Sequence, residues 1–102
     1  MKDIDKWFAE QCGVDQRSGA WWIINRTTGK VIYQGVCDFI IDKPDCREAI
    51  RERFSIDTVT YKSLGESAWL SNDNGENEGS GKTPAEAEIA CCEAIYEARN
   101  GN

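Results

Sequence analysis

Gly81-Lys82-Thr83 is the segment of this chain that most invites a chemical interpretation, because it matches the last three positions of the phosphate-binding motif G-x-x-x-x-G-K-[ST]. That motif cradles a phosphate with backbone N–H groups and with the N-terminus of the helix that follows. Five residues before Gly81, the chain has Glu76 where the motif has glycine. A carboxylate repels a polyphosphate, and glutamate lacks the backbone freedom that lets such a loop curl around the anion. The sequence therefore argues against a nucleotide-binding loop.

The same segment matches the start of a helix better. Thr83 supplies a hydroxyl for the N-cap, Pro84 suits the first helical position, and Glu86 completes a capping box. Residues 79–81 then form a flexible lead into the helix. Small and apolar residues recur at spacings of three and four, namely Ala87, Ala90, Cys91, Ala94, Ile95 and Ala98, while Glu86, Glu93 and Glu97 occupy the opposite side. This stripe predicts a helix that lies close against a sheet.

The residue types do not indicate catalysis or metal binding. The chain has no histidine, the side chain that most often transfers protons near neutral pH. The five cysteines form no C-x-x-C pair, and their odd number and irregular spacing do not suit a secreted disulfide framework. We therefore predict a cytoplasmic protein without enzymatic activity, cofactor or metal, in which the cysteines are buried apolar thiols. No apolar run reaches the length of a membrane span.

The net charge of the chain is concentrated in its last forty residues. Residues 1–62 contain ten acidic and ten basic residues, whereas residues 63–102 contain eight acidic residues and only Lys82 and Arg99 as bases. The whole net charge of −6 therefore arises in the second segment. Like charges oppose the binding of nucleic acid there. Such a field favours a partner protein with a basic surface, although an acidic surface also serves solubility alone.

A short helix and a hairpin are predicted first along the chain. The helix covers residues 4–12, and Gly13 ends it. Two runs rich in β-branched and aromatic residues within 20–36 flank a turn that needs positive φ at Gly29. Strand alternation places Trp21 and Ile23 on one face of the hairpin, and Trp22 and Ile24 on the other.

A second helix and a second hairpin follow. The helix covers residues 42–54, with Asp42 as its N-cap and charges of both signs on a solvated face. The hairpin covers residues 55–72, where apolar and polar residues alternate with period two. Residues 73–82 are polar and contain glycine, which predicts a loop that leads to the last helix.

The predicted fold class is α+β with the element order α-β-β-α-β-β-α. Because hairpins pair antiparallel, we expect one mainly antiparallel four-stranded sheet with helices packed on it. The whole chain, residues 1–102, is expected to form a single domain. Within it a ββα unit occurs twice, over residues 20–54 and 55–99.

Four segments together resemble the phage ABA sandwich domain, a family of small phage and prophage proteins. They are IDKWFAEQCG at residues 4–13, Trp21-Trp22, the helix that starts at Pro44, and KTPAEAEIACCEAIYEA at residues 82–98. The resemblance covers nearly the whole chain. It implies a bacteriophage or prophage gene, an α/β/α layering, and the cytoplasm of an infected bacterium as the location.

Two hypotheses of function from different classes follow. The first is a non-enzymatic, phage-encoded protein that binds and inhibits a host complex, for example a CRISPR-type defence complex, through its acidic C-terminal half. The candidate contacts are Glu76, Glu78, Glu86, Glu93 and Glu97. The alternative is a protein that sequesters a small ligand or nucleotide signal, with aromatic side chains to stack on a base and arginines to bind an anion. The candidates for that role are Trp21, Trp22, Trp69, Arg47 and Arg51.

Overall fold

The computed structural model of the protein describes residues 2–17, 20–24, 28–36, 39–63 and 66–101. These residues form three helices and six strands. In chain order they are α1 (Asp3–Gln11), β1 (Val14–Arg17), β2 (Ala20–Ile24), β3 (Val31–Val36), α2 (Pro44–Phe54), β4 (Ile56–Ser63), β5 (Glu66–Asp73), β6 (Glu78–Gly81) and α3 (Pro84–Asn100).

The α+β class predicted from the sequence is confirmed, but the described strands do not form one four-stranded sheet. They form two antiparallel three-stranded sheets, in the orders β1-β2-β3 and β4-β5-β6. Each predicted hairpin gains one four-residue strand, β1 in the first sheet and β6 in the second. Both added strands are short and contain almost no apolar residues, so the period-two pattern that reveals β4 is missing from them.

The chain divides into two compact units, Met1–Ala49 and Ile50–Asn102. Each unit contains one of the two sheets. The predicted repeat of a ββα unit over residues 20–54 and 55–99 stays a prediction.

The N-terminal unit begins with α1, which ends as the sequence predicts. Cys12 is the C-cap residue, and Gly13 follows at φ 71°, in the left-handed region that glycine tolerates best. The turn between β2 and β3 contains Gly29 at φ 73°, also as predicted. The pairing of β2 with β3 shifts register between Ile23 and Ile24, where two residues of β3 correspond to one of β2. The side-chain positions of Trp21, Trp22, Ile23 and Ile24 lie outside the described part of the structure.

The core of the N-terminal unit contains two charged side chains that the sequence does not reveal as buried. Phe8, Phe39 and Cys46 are fully buried there. Asp5 is buried in α1 and accepts a hydrogen bond of 2.9 Å from the backbone N–H of Ile41. This bond attaches α1 to the segment before α2, and it satisfies both a buried carboxylate and a buried amide.

Arg47 corrects the prediction that the charged residues of α2 lie on a solvated face. Its side chain is buried, and Nη1 donates to the carbonyl oxygens of Ile41 at 3.0 Å and Asp42 at 2.7 Å. The backbone N–H of Arg47 bonds to the carbonyl of Lys43, so Lys43 is the N-cap residue, one position after the predicted N-cap, Asp42. The arginine is drawn inward because the backbone entering α2 turns two carbonyl groups toward the interior, where they need donors.

The C-terminal unit is a three-stranded sheet with α3 packed on one face. Residues paired across strands share a face, which places Ile56, Thr58, Ser71, Asp73 and Gly79 on the side of α3. The hydroxyl oxygens of Thr58 and Ser71 lie 2.6 Å apart on that face. Asp57, Val59, Leu70, Asn72, Glu78 and Ser80 occupy the other face, which we call the open face.

Two glycines in β6 allow α3 to approach the sheet closely. A Cβ atom at Gly79 would collide with backbone atoms of α3 at Ala87, Ala90 and Cys91, and one at Gly81 would collide with Glu86 and Ala87. The segment predicted as a flexible loop is therefore a strand held against the helix by the absence of side chains. The prediction that α3 lies close against a sheet is confirmed.

Candidate interaction surfaces

The N-terminus of α3 is closed by its own side chains. The backbone N–H of Glu86 donates to Oγ1 of Thr83 at 3.1 Å, and Oε2 of Glu86 accepts from the N–H of Lys82 at 2.8 Å. Thr83 is the N-cap residue and Pro84 follows it, so the predicted capping arrangement is confirmed. The carboxylate of Glu86 thus occupies the helix end at which a phosphate-binding loop would hold its anion.

The buried side of α3 is rotated from the stripe predicted by its small residues. Its buried residues are Ala87, Glu88, Cys91, Cys92 and Ile95. Ala90 and Ala94 are half-buried, and Ala98 is exposed. The rotation brings Glu88 into the interior of the C-terminal unit, where its Oε1 accepts from Nη1 of Arg51 at 2.9 Å.

Two acidic residues of the C-terminal unit are buried and satisfied within the structure. Glu88 accepts a hydrogen bond from Arg51. Asp73 accepts through Oδ1 from the N–H of Asn77 at 2.6 Å and through Oδ2 from the amide nitrogen of the same residue at 3.0 Å. Asp73 therefore fixes the turn between β5 and β6. Neither carboxylate is available to a partner without the loss of these bonds.

The five acidic residues predicted as partner contacts are all exposed. They nevertheless do not form one patch. Glu93 and Glu97 lie on the side of α3 that faces away from the sheet, and Glu86 lies at the exposed helix N-terminus beside Gly81 of β6. Glu78 lies on the open face and Glu76 in the turn before β6. From the sequence, all five residues belong to one acidic C-terminal half. Only the tertiary structure shows that the helix and the sheet place them on different surfaces.

Glu86, Glu93 and Glu97 form a narrow stripe, which we call the acidic face of α3. At 100° per residue their side chains fall within about 40° of one another, and they extend over about 16 Å of helix. Glu93 and Glu97 are neighbours at i,i+4, an arrangement that costs a helix about 0.2–0.5 kcal/mol. Glu97 also lies in the last turn, where the helix dipole disfavours negative charge. The acidic face is therefore maintained against the local preferences of the helix.

The open face of the C-terminal sheet is a second surface, which the sequence interpretation missed. Its central row pairs Val59 with Leu70 and Leu70 with Ser80. Val59 is 51% exposed, and among the residues that the structure describes it is the large apolar side chain that lies in solvent. Asp57 and Glu78 are exposed on the adjacent row. The alternation of apolar and polar residues in 55–63 indicates a solvent-facing side of β4. That this face extends across three strands follows only from the presence of β6 in the structure.

The residues proposed to bind a small ligand lie in different environments in the structure. Arg47 is buried and bonds to two backbone carbonyls, and Nη1 of Arg51 bonds to Glu88, whose negative charge opposes an anion beside it. Trp69 is half-buried in β5. The side chains of Trp21 and Trp22 lie outside the described part of the structure.

The cysteines that the structure describes are buried free thiols, as predicted. They are Cys12, Cys46, Cys91 and Cys92; Cys37 falls outside the described residues. Burial raises the pKa of the Cys91 thiol to about 12, with the carboxylates of Asp73, Glu78 and Glu88 acting in the same direction. Burial also raises the pKa of Cys46. Both therefore remain protonated near neutral pH, where a thiol is a poor nucleophile.

Within the described ranges, no group of three or more cysteine, aspartate or glutamate side chains is arranged to hold a metal ion. None of the described helices is both long and apolar enough to cross a membrane.

Comparisons of the chain with protein-family models, with curated proteins and with solved structures gave no match. The resemblance to the phage ABA sandwich family is therefore carried by the residues of the chain alone.

Proposed function

We propose that the protein is a non-enzymatic interaction protein that binds a basic protein surface through the acidic face of α3. The observation that carries the proposal is the exposure of Glu86, Glu93 and Glu97 on one side of a capped, 17-residue helix. A rigid helix fixes the spacing of the three carboxylates, so a complementary set of basic side chains meets them without a large ordering cost.

The electrostatic cost of the acidic face supports a role in binding. Glu93 and Glu97 repel one another, and the helix end disfavours Glu97. No ion pair within the described residues neutralises either of these two carboxylates. A basic partner would relieve the repulsion on binding, and residues that break a local structural rule without an internal compensation are candidates for function.

The class of partner is proposed from the sequence. The resemblance to phage ABA sandwich proteins supports a host protein as the partner and the cytoplasm of an infected bacterium as the place of action. A basic host surface is typical of complexes that bind nucleic acid, so a defence complex of the CRISPR type is the proposed target. The acidic face would compete for that surface and would not itself bind nucleic acid.

Charge reversal on two opposite surfaces tests the proposal. The variant Glu93→Lys/Glu97→Lys changes the acidic face of α3, and Glu86 is left intact because it caps the helix. The matched control, Glu76→Lys/Glu78→Lys, makes the same change in net charge on the turn and the open face. Tagged wild-type protein and both variants would be used to capture partners from bacterial lysate at low and high salt, followed by mass spectrometry.

We expect the wild type and the control to retain a basic partner at low salt and to release it at high salt, and we expect the α3 variant to lose it. Loss of capture in both variants would indicate a general effect of net charge and would contradict a site on α3. Capture that survives charge reversal on α3 would also overturn the proposal, as would recovery of partners without a basic surface.

A further inference from the structure

The outer edge of β4 is unpaired among the residues that the structure describes. β4 is eight residues long and lies at the end of its sheet, where it pairs only with β5. No backbone hydrogen bond from residues 56–63 to a group outside the sheet is found in the described ranges. An edge strand of this length presents N–H and C=O groups that readily accept another strand.

Apart from its two charged residues, β4 lacks the proline, the bulge and the short length that usually block such an edge. The strand Ile-Asp-Thr-Val-Thr-Tyr-Lys-Ser contains no proline, its pairing with β5 is regular over all eight residues, and it has one acidic and one basic residue. Its own formal charge is therefore zero in a protein of net charge −6. Two copies of the protein would therefore meet no net like charge along this strand.

We infer that β4 pairs antiparallel with β4 of a second copy of the chain, which joins two three-stranded sheets into one six-stranded sheet. Identical strands related by a two-fold axis satisfy each other's backbone groups with one self-complementary surface. The inference stands independently of the function proposed for α3.

Symmetry restricts the register of this pairing. Side chains that face each other across an antiparallel pair point to the same side of the sheet, and a two-fold axis perpendicular to the sheet preserves that side. A residue of the open face therefore pairs only with another residue of the open face, such as Val59 with Val59 of the second copy. A pairing centred on Val59 extends from Ile56 to Lys62 and places no like charges opposite one another.

The register centred on Val59 also explains the exposure of that residue. Val59 is 51% exposed within one copy, and the pairing would bring the two valines side by side next to Leu70 of each copy. Apolar and β-branched residues that face each other across strands stabilise a sheet. Because both sheets keep the same orientation, the two α3 helices would lie on the same side of the combined sheet.

Sedimentation velocity and light scattering on the intact protein test the association. We expect the wild type to have the mass of two chains. Val59→Lys places two positive charges opposite each other and should weaken the dimer at least tenfold, about 1.4 kcal/mol. Ser80→Lys adds the same charge to the same row of the open face but two strands from the edge, and it should leave the dimer intact. Circular dichroism would verify that both variants fold.

Cysteine crosslinking under a mild oxidant such as oxidised glutathione tests the register. Directly opposed Cβ atoms are close enough for a disulfide, so Val59→Cys should give a covalent dimer, and Thr60→Cys should not. Wild-type protein, in which the four described cysteines are buried, is the background control. A monomeric wild type would overturn the inference. A covalent dimer from Thr60→Cys in place of Val59→Cys would overturn the register.

Discussion

At the scale of single residues, Gly79 is the residue on which the packing of the C-terminal unit depends most directly. It faces α3 from β6, and the space that its Cβ atom would need is filled by helix backbone. Backbone atoms, unlike the end of a flexible side chain, do not move aside without displacing the whole element. A methyl group here would therefore separate the helix from the sheet.

We predict that Gly79→Ala lowers the free energy of unfolding by about 2 kcal/mol or more, as expected for overpacking against a rigid neighbour. Ser80→Ala, at the adjacent exposed position, should change it by less than about 0.5 kcal/mol. Urea denaturation followed by tryptophan fluorescence gives both values. Equal stabilities of the two variants would show that α3 is free to move away from β6.

The thiol of Cys91 links stability to pH. Its pKa rises from 9.0 to about 12 on folding, because the thiol is buried and three carboxylates lie nearby. Above pH 9 the unfolded chain loses this proton while the folded chain keeps it. The stability that the thiol contributes is therefore complete below pH 9 and is lost progressively as pH rises toward 12.

We predict that Cys91→Ala has a flatter decline of stability than the wild type above pH 9. The two slopes should differ by up to about 1.4 kcal/mol per pH unit, the value for one proton. Denaturant unfolding at a series of pH values between about 8 and 10.5 measures the slopes, and the comparison does not depend on the absolute stability of the variant. Parallel curves would mean that the Cys91 thiol ionises as readily in the folded protein as in the unfolded chain.

At the scale of elements, two sets of contacts stabilise α3: its N-terminal cap and its packing against the sheet. Thr83 and Glu86 satisfy donors at the helix N-terminus, and Gly79 of β6 lies directly against the helix backbone. The acidic face runs along the same helix on the opposite side. A loss of the cap would thus loosen the element on which the proposed binding site is built.

We predict that Thr83→Ala destabilises the protein by about 1 kcal/mol, because the N–H of Glu86 loses its acceptor. Thr83→Ser keeps a hydroxyl oxygen in the same place and should retain most of the stability. Thermal and urea denaturation of the two variants provide the comparison. If serine destabilises as much as alanine, the methyl group of Thr83 rather than its hydroxyl would be responsible.

At the scale of the whole molecule, the dominant property is the uneven distribution of charge. The first 62 residues are balanced, and the excess of acidic residues lies in the C-terminal unit. Two of those acidic side chains, Asp73 and Glu88, accept hydrogen bonds from other residues of the protein. Five further acidic residues remain in solvent, where salt screens their mutual repulsion: Glu76, Glu78, Glu86, Glu93 and Glu97.

We predict that raising the ionic strength from a few millimolar to about 0.15 M increases the free energy of unfolding, by roughly 0.5 kcal/mol, because salt screens repulsion between like charges. The variant Glu93→Gln/Glu97→Gln should gain less, since its closest like-charged helix pair is removed. Urea denaturation at several concentrations of sodium chloride measures both. A stability that falls with salt would indicate that attractive rather than repulsive pairs dominate the surface.

The sequence by itself determined several features that depend on neighbours along the chain. The start of α3 follows from Thr83 and Glu86, and the end of α1 and the turn of the first hairpin follow from glycines that tolerate positive φ. The strands β2 to β5 follow from β-branched and aromatic runs. The acidity of the C-terminal half and the absence of histidine are properties of composition alone.

Only the tertiary structure decided which of these residues lie together. β1 and β6 have no apolar alternation of their own, so they become strands only because β2 and β5 offer them backbone partners. Arg47 and Glu88 are buried because a pair of carbonyls and an arginine satisfy them in space. The same geometry separates the five glutamates among α3, the open face and the turn before β6. Contacts between residues distant in sequence do not follow from local periodicity, since the pattern of one segment contains no information about the segment that will cover it.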